Sequence, residues 1–310
     1  MEQDQSCQPV CLWHGNRVSL KIEGIEVTHS QGRRGVRLLP IVKRAFARLL
    51  RACMFAYLFF LLGPDACASG NDQFRIPILV YHRFAATVAD SMTITLSLFE
   101  AHLKYLRDNG YQVIPLRQLV EHRLNGGTEL PARGVVITAD DGHRSVYTRM
   151  LPLIRLYRLP VTLFIYPSAI SNAAYAMTWE QLSELKQTGL FDIQSHSFWH
   201  PNFKDEKRRL KHDEYEKFVR SQLVKSKETL ENKLQSQVTM LAWPFGIFDD
   251  ELIGIAREAG YTAGFTIEGR HATPGDSVMA LPRYLVTQSF QMKLFAEIMG
   301  SKAVKVKKGY

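Results

Sequence analysis

The chain has 310 residues and a hydrophobic content of 46%, which is enough for one large domain or two small ones. Its formal net charge is +9 at pH 7, but no Lys/Arg run is dense enough to indicate nucleic-acid binding, so we expect no nucleic-acid partner. All four cysteines lie before residue 68, which excludes a disulfide framework or a cysteine metal site from the rest of the chain: Cys7, Cys11, Cys53 and Cys67.

The N-terminal region has the pattern of an export signal. Residues 52–63, ACMFAYLFFLLG, are apolar but shorter than the roughly 20 residues that a membrane span requires. Basic residues precede this run, and the small-x-small triplet at 66–68 follows it, as at a signal-peptide cleavage site. We therefore expect residues 52–68 to be a signal peptide or an uncleaved membrane anchor, with a buried core helix as the alternative. Residues 1–51 are a leader whose role the sequence leaves open.

From residue 74 onward, strand patterns alternate with helix patterns. Strands are predicted at 76–84, 134–141, 161–167, 191–196, 238–246, 262–267 and 280–286. Helices are predicted at 97–111, 150–160, 178–189 and 249–259, together with one whose buried face carries Tyr215, Val219, Leu223, Leu230 and Leu234. The alternation predicts parallel β/α units, in a barrel or an open sheet. We expect one domain over residues 74–300, followed by a basic tail at 301–310.

Two adjacent aspartates stand where a predicted buried strand ends. The stretch GVVITADDG places Asp140 and Asp141 directly before a glycine. A solvated turn explains an Asp-Gly pair without any function. However, adjacent carboxylates repel each other, and a buried carboxylate is costly unless it is paired or bound to a metal. A metal site is therefore the second explanation.

Two histidines favour the metal site. His196 and His200 are four residues apart and follow the strand FDIQ. Neutral imidazoles bind metals, and two histidines with one carboxylate make the three-ligand set of a catalytic site that retains room for water. One aspartate would then bind the metal, and the other would be available to move a proton.

Five motifs together resemble the polysaccharide deacetylase family, also called the NodB-homology or carbohydrate esterase 4 family. They are ILVYHRF, VVITADDGHRS, RLPVTLFIYP, MTWEQLSELKQTGLFDIQSHSFWHP and LAWPFGIFDDELIGIAREAGYTAGFTI, within residues 76–290. The AWPFG form is most similar to a periplasmic branch that includes poly-N-acetylglucosamine deacetylases. The resemblance implies an α/β fold, a single deformed (β/α)7 barrel (NodB-like), here preceded by the signal or anchor segment.

The resemblance also implies roles for individual residues. Asp140 matches the family's general base, while Asp141, His196 and His200 match its metal ligands. The implied cofactor is a divalent ion, Zn²⁺ first, with Co²⁺, Ni²⁺ or Fe²⁺ as alternatives. The segment Pro244, Phe245 and Gly246 matches a wall of the substrate groove.

The chain departs from the family pattern at two catalytic positions. Ala242 stands where many members have an arginine that orients the base, and Arg283 is our candidate replacement, with a surface arginine as the alternative. The family's late catalytic histidine is also missing, because no histidine follows His271. His271 is therefore the candidate general acid.

Two further side chains are candidates for the substrate groove. His82 follows the first strand and is expected either on the pocket floor or in a structural role. Trp199 is expected either as a platform for a sugar ring or as part of the core.

The expected function is metal-dependent N-deacetylation of an N-acetylglucosamine-containing envelope or exported polysaccharide. The alternatives are deacylation of another acylated glycan or of a lipid-linked aminosugar, and a glycan-binding module that has lost catalysis. The expected partner is the polysaccharide substrate, residues 52–63 are a possible membrane tether, and nothing indicates a protein partner. Export predicts a location in the periplasm or cell envelope.

Overall fold

The computed structural model describes residues 19–22, 25–28, 74–88, 90–127 and 129–300, with only the backbone described before residue 74. The chain divides into two compact units, Met1–Ala68 and Ser69–Tyr310. In the first unit, β1 (Ser19–Ile22) pairs antiparallel with β2 (Ile25–Thr28). The predicted signal or anchor at 52–68 and the basic tail at 301–310 lie outside the described residues, as does most of the leader. Across the described ranges, no helix combines the length and apolar character needed to cross a membrane.

The second unit alternates strands and helices along the described chain. Its strands are β3 (Ile78–Tyr81), β4 (Arg83–Ala85), β5 (Thr93–Thr95), β6 (Gln112–Val113), β7 (Gly134–Asp140), β8 (Val161–Ile165), β9 (Phe191–Ser195), β10 (Met240–Ala242), β11 (Ala263–Phe265) and β12 (Tyr284–Leu285). Its helices are α1 (Leu96–Asp108), α2 (Leu116–Asn125), α3 (Leu151–Tyr157), α4 (Trp179–Gln187), α5 (Phe203–Arg209), α6 (His212–Leu234), α7 (Asp250–Glu258) and α8 (Met292–Gly300).

The principal sheet of this unit is parallel and curls into a barrel. Its strand order is β11-β10-β9-β8-β7-β3-β12, and β6 pairs with the start of β7. The segment that contains β12 touches both edges of this sheet: Tyr284 pairs with Leu79 of β3, and Leu281 bridges to Phe265 of β11. Seven described strands thus surround one interior. The expected (β/α)7 barrel is confirmed.

Alternation along the strands separates two apolar clusters. Val135 and Ile137 of β7 belong to the larger cluster, which lies between the sheet and the helices. Val136 belongs to a smaller cluster inside the barrel. Because side chains alternate between faces along a strand, Thr138 and Asp140 share the inward face of β7 with Val136. The hydrophobic pattern therefore directs Asp140 into the barrel.

The signals that end and cap the predicted helices appear in the structure. The side chain of Thr178 accepts from the backbone of Gln181, and Gln181 returns a hydrogen bond to complete the capping box of α4. Helix α1 ends at Asp108, immediately before the Asn109-Gly110 stop signal. The structure also contains helices α2, α5 and α8, which we did not predict. The predicted strands at 238–246 and 280–286 are shorter than expected because Pro244–Gly246 and Val278–Ala280 form single 3-10 turns.

Candidate active site

Four polar side chains occupy equivalent positions at the carboxyl ends of neighbouring strands. His82 follows β3, Asp140 ends β7, Tyr166 follows β8, and His196 follows β9. Each continues the inward-facing alternation of its strand, and the four strands are adjacent in the sheet. Parallel strands present their carboxyl ends at the same edge, so the fold brings these groups together.

These strand ends surround a cavity of about 540 Å³. Eight lining residues had been proposed from the sequence: His82, Asp140, Asp141, His196, His200, Phe245, Gly246 and Arg283. Six further residues line the cavity and were not predicted from the sequence: Arg83, Met92, Tyr166, Trp243, Ile267 and Leu285. The position of Tyr166 in the cavity could have been predicted, because Tyr166 lies two residues beyond the inward-facing Phe164 and side chains on the same face of a strand are two residues apart.

Asp140 forms a buried, bidentate ion pair with Arg283. The Arg283 Nη1 and Nη2 atoms donate to the two carboxylate oxygens at 2.8 and 2.7 Å, and the exposed fraction of Arg283 is 0%. Arg283 Nε donates to the Thr266 carbonyl at 3.1 Å, which fixes the plane of the guanidinium group. Burial by itself raises the pKa of Asp140, but the charges of Arg283 and then of His196 outweigh it, so the pKa lies below its usual value. Asp140 is therefore ionised at neutral pH.

Asp141, His196 and His200 form a cluster of possible metal ligands. One ligand atom from each lies within 4.8 Å of the others. Oδ1 of Asp141 lies 3.7 Å from Nε2 of His196 and 3.9 Å from Nε2 of His200. Two donors bound at about 2.1 Å to one ion are at most about 4.2 Å apart, so the geometry fits a first-row divalent metal. The two nitrogens and one oxygen are also donors that such a metal accepts.

Surrounding groups hold this cluster in position. Nδ1 of His196 lies 2.8 Å from the Ala242 carbonyl, an acceptor, so this nitrogen carries the proton and Nε2 is free to bind a metal. The backbone N–H of His200 donates to Ser197 Oγ at 3.1 Å. Burial, and then the neighbouring His196, lower the pKa of His200 to about 4. Its imidazole is therefore neutral at pH 7, as a metal ligand must be.

The backbone around the site is strained. Asp141, Ser197, His200 and Phe245 all have φ between 57° and 72°, a region that side chains other than glycine rarely adopt. Such conformations cost about 1–3 kcal/mol each and persist where the surrounding structure imposes them. They allow short loops to turn the aspartate and histidine back towards the cavity.

The predicted groove wall is only partly exposed to the cavity. Phe245 is 54% exposed and its ring centroid lies 4.6 Å from that of His200. Gly246 also lines the cavity, whereas Pro244 is buried behind it. Trp243 is fully buried, lines the cavity and donates from Nε1 to the Met279 carbonyl at 2.8 Å.

The structure does not support His271 as a catalytic acid. Its Nδ1 lies 2.8 Å from the Tyr284 hydroxyl, and the side chain lines a different cavity together with Gly134. Gly134 begins β7 and Asp140 ends it, so the two cavities are separated by roughly 20 Å of strand at about 3.3 Å per residue. The sequence alone does not show which end of the barrel the loop that carries His271 joins, and this is why His271 was a candidate.

Of the two candidate groove residues, His82 lines the cavity and Trp199 does not. His82 lines the cavity, and its buried Nδ1 has no hydrogen-bond partner among the described residues. Burial lowers the pKa of His82, although Asp141 and Asp140 partly offset this effect. Trp199 is 44% exposed but lies outside the cavity lining, with its ring edge-on to Phe218 of α6.

The part of the chain that forms the barrel and the site is similar to a known protein family. Residues 127–264, which include all four metal-cluster and base residues, match the family model for polysaccharide deacetylase. The chain contains a polysaccharide deacetylase domain. This family comprises hydrolases that act on amide bonds, so the deacetylase domain is an enzyme domain of that class.

Relatives and solved structures resemble the deacetylase domain. A poly-beta-1,6-N-acetyl-D-glucosamine N-deacetylase of Escherichia coli (strain K12) is 27% identical over 254 residues, which cover 70% of this chain and 37% of that protein. A protein of the same description from Staphylococcus aureus (strain MRSA252) is 24% identical, covering 67% of this chain and 72% of its own length. The Streptococcus pyogenes deacetylase PplD has the same fold, with a TM-score of 0.65, 24% identity, and coverage of 74% of this chain and 100% of PplD.

Proposed function

We propose that this protein is a metal-dependent N-deacetylase of an exported, N-acetylglucosamine-containing polysaccharide. One observation carries the proposal: a carboxylate ion-paired to Arg283 lies beside a two-histidine, one-carboxylate cluster in a single cavity. The two relatives named as poly-N-acetylglucosamine deacetylases support the choice of sugar.

Asp141, His196 and His200 are the residues that would hold the metal. A bound divalent cation supplies Lewis-acid polarisation of the acetamide carbonyl and acidifies a nearby water molecule. Zn²⁺ suits this donor set, and Co²⁺, Ni²⁺ and Fe²⁺ suit it as well.

Asp140 is the proposed general base. Its Oδ2 lies 3.8 Å from Nε2 of His196, so the carboxylate borders the metal ligands. Arg283 keeps Asp140 ionised and fixes its orientation, while each carboxylate oxygen retains a second lone pair for a water proton. In this mechanism Asp140 removes a proton from water as the water attacks the amide carbon. The backbone N–H of Phe245, on the cavity wall, is the candidate donor to the developing oxyanion.

His82 is the proposed proton donor to the leaving amine. It directly follows β3, the strand next to that of Asp140, and its Nδ1 is buried without a partner in the described chain. This assignment replaces His271, which the fold places beside another cavity.

The two alternative functions differ from the proposal in testable ways. A deacylase of another glycan or of a lipid-linked aminosugar would use the same residues on a different acyl group. A binding module without catalysis would have no need for the ion-paired Asp140, and the presence of that pair argues against it. An envelope location is proposed because residues 52–63 have the export pattern.

The test is release of acetate from β-1,6-linked N-acetylglucosamine oligomers. We expect release that a chelator abolishes and that Zn²⁺ or Co²⁺ restores, and we expect no release from the Asp140→Asn variant. Formyl and O-acetyl oligomers are the comparison substrates. Acetate release that is unchanged after chelation and dialysis would reject the metal-dependent assignment.

A further inference from the structure

A second aromatic side chain lies just outside the cavity, on the side of β8. Tyr166 lines the cavity, and its ring centroid lies 5.6 Å from that of His200. The Tyr166 hydroxyl lies 2.6 Å from the hydroxyl of Tyr175. Tyr175 is 41% exposed and does not line the cavity itself. A ring is therefore presented to solvent one side chain away from the candidate metal ligands.

The loop that carries Tyr175 is tied to the catalytic loop. Ala176 pairs with His143 as an isolated antiparallel bridge, and the Tyr175 carbonyl accepts from the backbone N–H of Arg144 at 2.8 Å. The backbone N–H of Met177 donates to the Gly142 carbonyl at 2.9 Å. Residues 142–144 directly follow Asp140 and Asp141. Movement of the Tyr175 loop relative to the aspartates would break these bonds.

The ring of Tyr175 is also held from one side. The imidazole of His143 lies nearly parallel to it, at 9°, with the ring centroids 6.2 Å apart. The hydroxyl bond to Tyr166 fixes the other end of the side chain. Because the ring is ordered before any ligand arrives, binding to it costs little conformational entropy.

We propose that Tyr175 is a platform for the sugar ring adjacent to the one whose acetyl group is removed. The proposal rests on the proposed function, since it assumes that a glycan occupies the cavity. The C–H groups on one face of a hexopyranose are weakly positive and pack against the negative face of an aromatic ring. Tyr175 offers such a face together with a hydroxyl group, and a neutral ligand needs no countercharge there. A ligand that fills both the cavity and this platform has at least two sugar rings.

The exposed aromatic groups lie on two sides of the candidate metal ligands. The ring of Phe245 packs against His200 on one side, while Tyr166 contacts His200 on another and leads to Tyr175. A polymer that extends from the cavity over Tyr175 would thus gain contacts that a single sugar does not make. Affinity should rise with chain length.

The experiment compares kcat/KM for the methyl glycoside of N-acetylglucosamine, a monosaccharide without an adjacent ring, and for the β-1,6-linked hexasaccharide, in the wild type and three variants. We expect Tyr175→Ala to lose about fivefold more kcat/KM on the hexasaccharide than on the monosaccharide, since an aromatic contact contributes roughly 1 kcal/mol. Tyr175→Phe retains the ring and should keep most of the wild-type preference. Tyr147→Ala is the matched control, because the hydroxyl of Tyr147 bonds to Glu184 and the residue does not line the cavity.

Each outcome has a separate meaning. Equal losses on both substrates would show that Tyr175 only supports Tyr166, and would overturn the platform. An unchanged preference in Tyr175→Ala would overturn it as well. If the wild type releases acetate from neither substrate, the proposed function fails. Hexasaccharide binding measured by calorimetry then tests the platform, and equal Kd values for the wild type and Tyr175→Ala would overturn it.

Discussion

Adjacent aspartates receive different environments because a strand ends between them. Asp140 is 2% exposed and faces into the barrel as the last residue of β7, where both of its oxygens contact Arg283. Asp141 has φ 72°, which turns its carboxylate towards His196 and His200. The change in backbone conformation therefore separates an ion-paired base from a metal ligand.

This separation predicts different losses in two single variants. We expect Asp140→Asn to keep its metal and to lose activity by a factor on the order of 100 or more, as for removal of a general base. We expect Asp141→Asn to lose the metal too, because an amide is a poor ligand beside two neutral histidines. The measurements are metal content by elemental analysis and turnover on the same preparations, with melting curves to confirm folding. Metal-free Asp140→Asn together with metal-replete Asp141→Asn would reverse the two roles.

Replacement of Arg283 should change the pH profile of activity. The charge of Arg283 offsets the burial that would otherwise raise the pKa of Asp140. In Arg283→Met the pKa of Asp140 should rise, so the carboxylate is ionised only at higher pH. The acidic limb of kcat/KM should move to higher pH, and stability should fall by about 3–5 kcal/mol because one buried charge loses its partner. An acidic limb that stays in place in a folded Arg283→Met preparation would show that Arg283 does not tune the base.

At the scale of elements, sequence periodicity predicted most of the architecture, while the strands predicted at 238–246 and 280–286 are shorter in the structure. The period of two along β7 puts Asp140 on the same face as Val136, inside the barrel, and the same rule applied to VTLFIY would have found Tyr166. The left-handed residues at the site could not be predicted, because Asp141, His200 and Phe245 adopt φ values that their own side chains disfavour. Which end of the barrel a loop joins depends on the closed topology, and the assignment of His271 failed for that reason.

Two glycines should respond in opposite ways to replacement by alanine. Gly246 has φ 67°, and a Cβ there would lie 2.6 Å from Cγ1 of Ile267. Gly254 lies within α7 and a Cβ there meets no atom within 4 Å. We expect Gly246→Ala to destabilise the protein by about 1–3 kcal/mol and to lower activity, because the cavity wall must shift. Gly254→Ala should stabilise it by about 0.5–1 kcal/mol through helix propensity. Urea unfolding of both variants provides the comparison, and equal stability changes would contradict the assignment of Gly246.

At the scale of the whole molecule, the location of the catalytic domain follows from the segment before it. The basic flank, the apolar run at 52–63 and the small residues at 66–68 predict that the domain is exported. A reporter that is active only outside the cytoplasm, fused after residue 75, should be active, and deletion of residues 52–63 should abolish its activity. Cytoplasmic activity of a matching reporter in the intact fusion would contradict export.

A buried histidine should also make the stability of the whole domain depend on pH. His102 is 0% exposed, stacks on Phe295 with ring centroids 3.9 Å apart, and lies 2.9 Å through Nε2 from the Phe290 carbonyl. It thereby joins α1 to α8 and to the segment that precedes α8. Because the carbonyl can only accept, Nε2 carries the proton and Nδ1 is left to accept from the Tyr81 hydroxyl at 3.2 Å. Burial lowers the pKa of His102 to about 4.

The lowered pKa of His102 determines how the stability of the domain changes with pH. An unfolded histidine has a pKa of about 6.5, so between roughly pH 6.5 and 4 the unfolded chain binds more protons than the folded one. The contribution of His102 is therefore fully present above about pH 6.5 and is lost as the pH falls towards 4, by on the order of 3 kcal/mol. We expect His102→Gln to be less stable than the wild type at pH 7.5 and to lose less stability between pH 7 and 4.5, as measured by urea unfolding of metal-free protein. If His102→Gln and the wild type lose the same stability over that range, protonation of His102 is not coupled to unfolding.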